Sequence, residues 1–142
     1  MLKLLLPFDG SESASNAVRF ALRMAAREGG AMFHLIHVHE APRVYGEIAV
    51  YADAEKIRQL QRAHGAALLA GGEQLLADAK VVFTKAILEG DIAASIAAEA
   101  ERTGCDAIVM GTRGMSPIGN LVMGSIATKV VHAARQPVIL VK

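Results

Sequence analysis

The sequence predicts an α/β domain: a doubly wound, Rossmann-like parallel sheet of five strands with helices on both faces. Short apolar segments alternate with longer segments whose apolar residues recur at helical spacing, giving the order βαβαβαβαβ. The apolar segments are nearly continuous, which is typical of strands covered on both faces. No linker or internal repeat divides the 142 residues, so we expect a single domain over residues 1–142.

The first strand is predicted over Lys3–Phe8 and ends at Asp9-Gly10-Ser11. Ser11 or Ser13 is expected to cap the next helix, because a side-chain oxygen accepts an unpaired backbone N–H. Gly29-Gly30 should end that helix, since glycine readily adopts left-handed backbone. The apolar face of the helix is expected to consist of Ala14, Ala17, Val18, Ala21, Leu22 and Ala25.

A second strand is predicted over Ala31–Val38, followed by an irregular connection at about residues 40–52. Helical spacing resumes near Asp53, and we expect Gly71-Gly72 to weaken or bend this long helix by roughly 1 kcal/mol per glycine. Its apolar face is predicted from Ile57, Leu60, Ala67, Leu68 and Leu75.

The remaining elements follow the same alternation. Val81–Leu88 is predicted as the third strand, and Asp91 as the cap of a helix with Ile92, Ile96, Ala97 and Ala100 on its apolar side. Ala107–Met110 is the fourth strand. A helix running to about Arg135 and a fifth strand over Pro137–Val141 complete the chain.

Composition excludes several functional classes. The formal net charge is +1, aromatic residues make up 4% of the chain and Trp is absent, which argues against nucleic-acid binding and membrane-surface binding. No apolar run approaches the roughly 18 residues of a membrane span. Cys105 is alone and is interpreted as a small core residue. We therefore expect a cytoplasmic protein that binds neither nucleic acid nor membrane.

The segment from Gly111 to Ser125 has the spacing G-x2-G-x9-G-S, with glycines at Gly111, Gly114 and Gly124. Glycines let backbone N–H groups converge on phosphate oxygens, and a helix beginning at Gly124-Ser125 would favour an anion. Arg113 adds a charge for terminal phosphates. Taken alone, G-x-x-G is usually a turn, Ser125 a helix cap and Arg113 a solvated charge; their joint position at a strand-to-helix junction favours a phosphate site.

Asp9 ends the first strand at the same predicted edge of the sheet. A carboxylate there can accept hydrogen bonds from ribose hydroxyls, and a turn-forming Asp is the alternative interpretation. His34, His37 and His39 do not form a metal site, because alternation along the strand places His34 on the opposite face. No catalytic residue and no resident metal is predicted.

With these features the chain resembles the universal stress proteins, specifically their ATP-binding subgroup. The resemblance rests on Pro7-Phe8-Asp9-Gly10-Ser11, the five-strand alternation, the complete glycine motif and the closing strand Pro137–Val141. It implies a strand order of 3-2-1-4-5. It also implies that Asp9 contacts ribose, that Met110 abuts the ribose, and that backbone around Pro7-Phe8 and Val38 lines the adenine. Ribose and phosphates would be surrounded by Gly111, Arg113, Gly114, Gly124, Ser125 and Ile126.

Phe8 is bulkier than the residue usual at that place, so the sequence departs from the family pattern near the base and not at the phosphate site. The resemblance further implies homodimers formed through the last strand, whose apolar edge pairing would protect, although a covering loop is the alternative. No G-K-[ST] loop occurs, and Lys129 is interpreted as a solvated helix residue. The expected function is a nucleotide-dependent stress regulator that binds ATP, with Mg²⁺, and an unidentified protein partner. A slow ATPase and a dimeric module that uses no nucleotide are the alternatives.

Overall fold

The computed structural model describes residues 1–42, 54–113 and 123–142. Strands and helices alternate through this part of the chain, as predicted. Their bounds are β1 Leu2–Pro7, α1 Glu12–Arg27, β2 Ala31–His39, α2 Ala54–Asp78, β3 Phe83–Glu89, α3 Ile92–Thr103, β4 Ala107–Gly111, α4 Ser125–Ala133 and β5 Val138–Val141. Gly114 and most of the predicted 40–52 connection lie outside the described residues.

The five strands form one sheet in the order β3-β2-β1-β4-β5, and every neighbouring pair is parallel. The predicted fold class and strand order are therefore confirmed. β1 lies at the centre, with Leu5 opposite His34 of β2 and Ile108 of β4. The chain turns back across β1 to reach β4, so the space between the carboxyl ends of β1 and β4 is the topological switch point.

Helices cover both faces of the sheet and bury two hydrophobic clusters. Leu4 and Leu6 of β1 point into the cluster beneath α1 and α2, whereas Leu5 points into the cluster beneath α3 and α4. Successive side chains of a strand point to opposite faces, so a strand buried on both sides must be apolar throughout. This is the physical reason for the continuous apolar runs.

The helix ends follow the predicted chemistry. The Ser11 hydroxyl accepts the Ala14 N–H at 3.1 Å, and the Asp91 carboxylate accepts the Ala94 N–H at 2.9 Å. After α1, Gly29 and Gly30 have φ of +82° and +116°, values that glycine adopts readily. Both predicted side-chain caps are thus confirmed, with Ser11 rather than Ser13 at the start of α1.

The long helix α2 departs from its prediction in two respects. Its buried residues are Gly65, Leu69, Gly72 and Leu76, while the predicted face residues Leu60 and Ala67 are exposed. The helix also continues through Gly71-Gly72 without a break, so the expected irregularity is wrong. Close packing explains both results: a Cβ on Gly72 would lie 3.1 Å from Leu35 and from the Phe8 ring. Glycine is needed there for the approach of helix to sheet.

Within the described ranges, no helix is both long enough and apolar enough to cross a bilayer. Cys105 is buried, as predicted.

Candidate functional site

A cavity of about 320 Å³ opens at the carboxyl edge of the sheet, at the switch point between β1 and β4. It is bounded by the ends of β1, β2 and β4 and by the first turn of α4. Every predicted site residue that the structure describes lies on its wall: Pro7, Phe8, Asp9, Val38, Met110, Gly111, Arg113, Gly124, Ser125 and Ile126. Their contact with a ligand remains a prediction, and Gly114 lies outside the described residues.

The end of β1 is fixed by backbone hydrogen bonds and by a turn. The Phe8 N–H donates to the Ile36 carbonyl at 2.8 Å, and Asp9 Oδ1 accepts the Ser11 N–H at 2.9 Å. Asp9 therefore does form the turn that was its alternative interpretation. A carboxylate has two oxygens with several acceptor positions, so the same side chain can also face a ligand.

The Phe8 ring lies against the glycine pair of α2. Its atoms lie 3.7–3.8 Å from the Cβ position of Gly71 and 3.1 Å from that of Gly72, so the ring packs against α2. The side chain is 4% exposed and belongs to the hydrophobic cluster beneath α1 and α2. The bulk of Phe8 is thus accommodated by the two glycines of α2.

Gly111 is required by packing within the domain. A Cβ at this position would overlap the Ser13 hydroxyl and would lie 2.7 Å from the Ser13 carbonyl carbon, in the first turn of α1. Ser13 also accepts the Arg113 N–H through its hydroxyl at 3.3 Å. The first turn of α1 therefore holds the end of β4 in place, which gives Gly111 a structural role independent of any phosphate.

Backbone hydrogen bonds hold together the two ends of the segment that connects β4 to α4. The Thr112 N–H donates to the Val141 carbonyl at 3.0 Å, and the Gly124 N–H donates to the Thr112 carbonyl. Thr112 is buried. Arg113 and Gly124 are in this way brought to one wall of the cavity although eleven residues separate Thr112 from Gly124 in the sequence.

The first turn of α4 faces the cavity without a side-chain cap. Gly124 is the N-cap residue, and Ser125 is the first helical residue, so Ser125 is not the cap. By contrast, α1 and α3 each have a side chain that accepts a first-turn N–H. The N–H groups at the start of a helix carry partial positive charge, and here they line a cavity next to the Arg113 side chain.

Sequence reasoning missed several wall residues. These are Ala14, Ile36, His37, Ile92, Ile96, Thr112 and Ala127. The apolar ones also belong to the buried core, and helical or strand spacing gives no sign of which core residues border a cavity. His37 is adjacent to the predicted Val38, and its Nδ1 lies 2.8 Å from the Phe8 carbonyl oxygen, so Nδ1–H donates to it. This bond ties β2 to the end of β1.

The other histidines lie elsewhere. His34 contacts Thr84 and Glu99 on the face covered by α3, whereas His37 packs against Gly65 of α2, so the predicted separation onto opposite faces is confirmed. His39 hydrogen-bonds to the Glu40 carbonyl through Nδ1 at 3.1 Å. In the ranges that the structure describes, no three His, Cys, Asp or Glu side chains are grouped so as to hold a metal ion.

Comparison with known proteins gives a consistent result. The model of the universal stress protein family matches residues 1–142. A universal stress protein of Thermus aquaticus is 34% identical over 145 residues, covering 98% of this chain and 97% of the relative.

Two solved structures share the fold. One is the universal stress protein UspA from Lactobacillus plantarum, with a TM-score of 0.83, 22% identity, and coverage of 99% of this chain and 97% of that one. The other is a universal stress protein from Archaeoglobus fulgidus in complex with dAMP, with a TM-score of 0.65, 21% identity, and coverage of 100% and 98%.

Proposed function

Because this chain belongs to the universal stress protein family, we propose that it is a regulatory protein that binds ATP in the cavity at the carboxyl edge of its sheet. The observation that carries the proposal is the composition of the cavity wall. Residues separated by more than one hundred positions in the sequence, from Pro7 to Ile126, meet on that wall at the topological switch point. In open α/β sheets this is the place where ligands bind.

The wall has two chemically different parts, which suits the two ends of a nucleotide. Arg113 and the uncapped first turn of α4 supply positive charge and N–H donors for the phosphates. Asp9 supplies an acceptor for ribose hydroxyls. Pro7, Phe8 and Val38 supply backbone and apolar surface for the base, and Met110 lies between the two parts as a contact for the ribose. Gly114 is expected to complete the phosphate side.

The related structure from Archaeoglobus fulgidus contains dAMP, an adenine nucleotide. Its fold is the same, which supports a nucleotide of this class in the corresponding cavity. Mg²⁺ is expected to arrive with the phosphates, because this ion is commonly held by substrate phosphates together with one or two carboxylates. Among the described wall residues, Asp9 is the only carboxylate.

The same wall favours binding over hydrolysis. Phosphoryl transfer requires a positioned metal, a nucleophile and charge together. The described wall residues that can carry charge are Asp9, His37 and Arg113, and both Asp9 and His37 are engaged in backbone hydrogen bonds. We therefore propose that ATP occupancy controls an interaction with another protein in the cytoplasm, in a chain that forms homodimers through β5.

The experiment is to heat-denature the purified protein and analyse the supernatant for released nucleotide, followed by calorimetry with ATP and Mg²⁺. Released ATP supports a binding protein, and ADP alone supports slow turnover. Absence of released nucleotide together with absence of calorimetric binding at millimolar ATP would rule out both, and would leave a dimeric module without nucleotide.

Gly124→Val locates the site. Gly124 has φ −71° and ψ 161°, an extended conformation open to any residue, so the variant should fold. Its side chain would project at the start of α4 and should abolish ATP binding. Lys129→Ala, on the exposed side of α4 and away from the cavity wall, is the matched control and should bind ATP as the wild type does. Unchanged affinity in Gly124→Val would show that the phosphates lie elsewhere.

A further inference from the structure

A second group of polar side chains lies outside the cavity wall, on the face of the sheet covered by α3. His34 of β2 contacts Thr84 of β3 through Nδ1 at 2.7 Å and Glu99 of α3 through Nε2 at 2.7 Å. His34 and Thr84 are direct neighbours in the register of the two strands. None of the three residues lines the ATP cavity.

The hydrogen bonds define which nitrogen of His34 carries the proton. Arg102 donates to both oxygens of Glu99, from Nε at 2.8 Å and from Nη2 at 2.7 Å. Chiefly these bonds, against the opposing effect of burial, lower the pKa of Glu99 to about 2. Glu99 is therefore a carboxylate and only accepts hydrogen bonds, so in the neutral imidazole the proton is on Nε2. Nδ1 is then the acceptor, and the Thr84 hydroxyl donates to it.

His34, Glu99 and Thr84 differ in how far they are buried. The side chains of His34 and Glu99 are 7% and 6% exposed, whereas Thr84 is exposed at the edge of the sheet, because β3 is the outermost strand. A hydroxyl on an exposed residue that donates to an imidazole, which in turn donates to a buried carboxylate, is the arrangement that activates a hydroxyl nucleophile. We infer that Thr84 is a modification site, whose hydroxyl accepts acyl groups from small activated esters or thioesters with His34 as general base.

The reaction balances with these groups alone. Thr84 Oγ1 attacks the acyl carbon and forms an ester bond while its proton passes to His34 Nδ1. The bond from the acyl carbon to the leaving alkoxide or thiolate breaks, and the leaving group takes the proton from the imidazolium. Glu99 is a positioning residue that holds the imidazole in the required tautomer, and Arg102 positions Glu99.

An acyl donor fits this group better than a phosphoryl donor. Phosphoryl transfer depends on cations placed around the phosphate. The cation of this group, Arg102, already gives two of its donor groups to Glu99. The geometry supplies a nucleophile and a base, and a general base contributes typically 10²–10⁴-fold to such a step. We therefore expect Thr84 to be acylated once, without the rapid turnover of an esterase.

The test is incubation of the full chain with p-nitrophenyl acetate, followed by peptide mass mapping of the acetylated positions. Thr84 should be acetylated at least ~100-fold faster than Thr128, whose hydroxyl donates to the Gly124 carbonyl instead of to an imidazole. The product should be an ester that hydroxylamine removes, unlike acetyl-lysine.

Four variants separate activation from simple exposure. Thr84→Ser should keep the labelling, and Thr84→Val, which has nearly the same shape, should abolish it. His34→Gln and Glu99→Gln should each slow it at least ~100-fold, if circular dichroism shows that they fold. Equal acetylation of Thr84 and Thr128 in the wild type would overturn the inference. This holds even if His34→Gln and Glu99→Gln both fail to fold. ATP binding by Thr84→Val should be unchanged, so this outcome is independent of the proposed function.

Discussion

Phe8 and Gly72 each look unfavourable in the sequence, and in the structure they pack against each other. A large ring at the end of β1 and a glycine pair within a helix are each unfavourable alone, because the ring needs space and glycine lowers helix stability. In the structure the ring occupies the space that Gly71 and Gly72 leave open. The bulk of the Phe8 ring is therefore accommodated between β1 and α2.

The two glycines should respond differently to alanine. At Gly71 the new Cβ would make ordinary contacts of 3.7–3.8 Å with Phe8, so Gly71→Ala should stabilise the domain by roughly 0.5–1 kcal/mol through helix propensity. At Gly72 it would lie 3.1 Å from Leu35 and Phe8, and overpacking of about 1–3 kcal/mol should outweigh that gain. Urea unfolding measures both. Equal effects at the two positions would contradict the packing described, and Phe8→Leu should reduce the cost of Gly72→Ala.

Gly111 and Gly124 belong to one sequence motif, but their substitution should have different effects. We expect a loss of stability at Gly111 and a loss of ATP binding at Gly124. Gly111→Ala would force a Cβ against the backbone of Ser13, so we expect a lower thermal midpoint even without ligand. Gly124→Val should leave that midpoint nearly unchanged and affect ATP binding alone. Differential scanning calorimetry of the two apo variants distinguishes the roles; an unaltered midpoint in Gly111→Ala would show that α1 can move aside.

Among the elements, α3 is attached to the sheet by a hydrogen bond between its Glu99 carboxylate and His34 in addition to its apolar face. Glu99 lies beneath the helix among buried residues, bonded to His34 of β2 and to Arg102 one turn away. The contact connects α3 to β2, and through Thr84 to β3. Its contribution depends on the charge of Glu99, which makes the attachment of this helix dependent on pH.

The free energy of unfolding should therefore decrease in acid as Glu99 becomes protonated. The pKa of Glu99 is about 2 in the folded protein, below its ordinary value of 4.5, chiefly because Arg102 donates to the carboxylate. A lowered folded-state pKa means that the contribution is complete above about pH 4.5 and is lost as the pH falls towards 2. Urea midpoints should show a larger difference between wild type and Glu99→Gln at pH 6 than at pH 2.5. A difference independent of pH would show that the charge of Glu99 does not contribute to stability.

The sequence predicts an element well when the pattern that identifies it depends on local backbone structure. Apolar runs and helix caps report local backbone, so the strands, α1 and α3 were predicted closely. The face of α2 was not, because its buried side is defined by Gly65 and Gly72, which carry no hydropathy signal and are recognised only when the neighbouring strand is known. Glu99 was missed for a related reason: a charged residue on a helix is usually solvated, and its partners, buried His34 and exposed Arg102, lie sixty-five and three positions away in the sequence.

At the scale of the whole molecule, the strand order is what assembles the candidate site. The spacing of glycines indicated a phosphate-binding segment, and the predicted parallel sheet placed Asp9 at the same edge, whereas Pro7, Phe8 and Val38 were placed beside it only through the family resemblance. Packing against Ser13 already requires a glycine at position 111, so Gly111 is not evidence for a ligand. The remaining support rests on Arg113, the uncapped start of α4, and the position of the cavity.

The outer edge of β5 tests the proposed homodimer. The Ile108 and Thr112 N–H groups donate to the carbonyls of Pro137 and Val141, so alternate residues face β4 and Leu140 presents its N–H to the free edge. Leu140→Pro should remove that donor and give a monomer by light scattering. Leu140→Ala loses the side chain but keeps the N–H, and should remain dimeric. A dimeric Leu140→Pro variant that folds would place the interface elsewhere.

The hydrogen bond from Gly124 to Thr112 also has a consequence for engineering. Thr112 and Gly124 lie next to each other at the two ends of the connection, so the fold is held together on both sides of it. Each doubling of a flexible connection costs only about 0.6 kcal/mol in closure entropy. A foreign sequence inserted between these two residues should thus be carried by an intact domain, next to the proposed phosphate site. A circularly permuted fluorescent protein placed there would turn the molecule into an optical reporter of its own ligand.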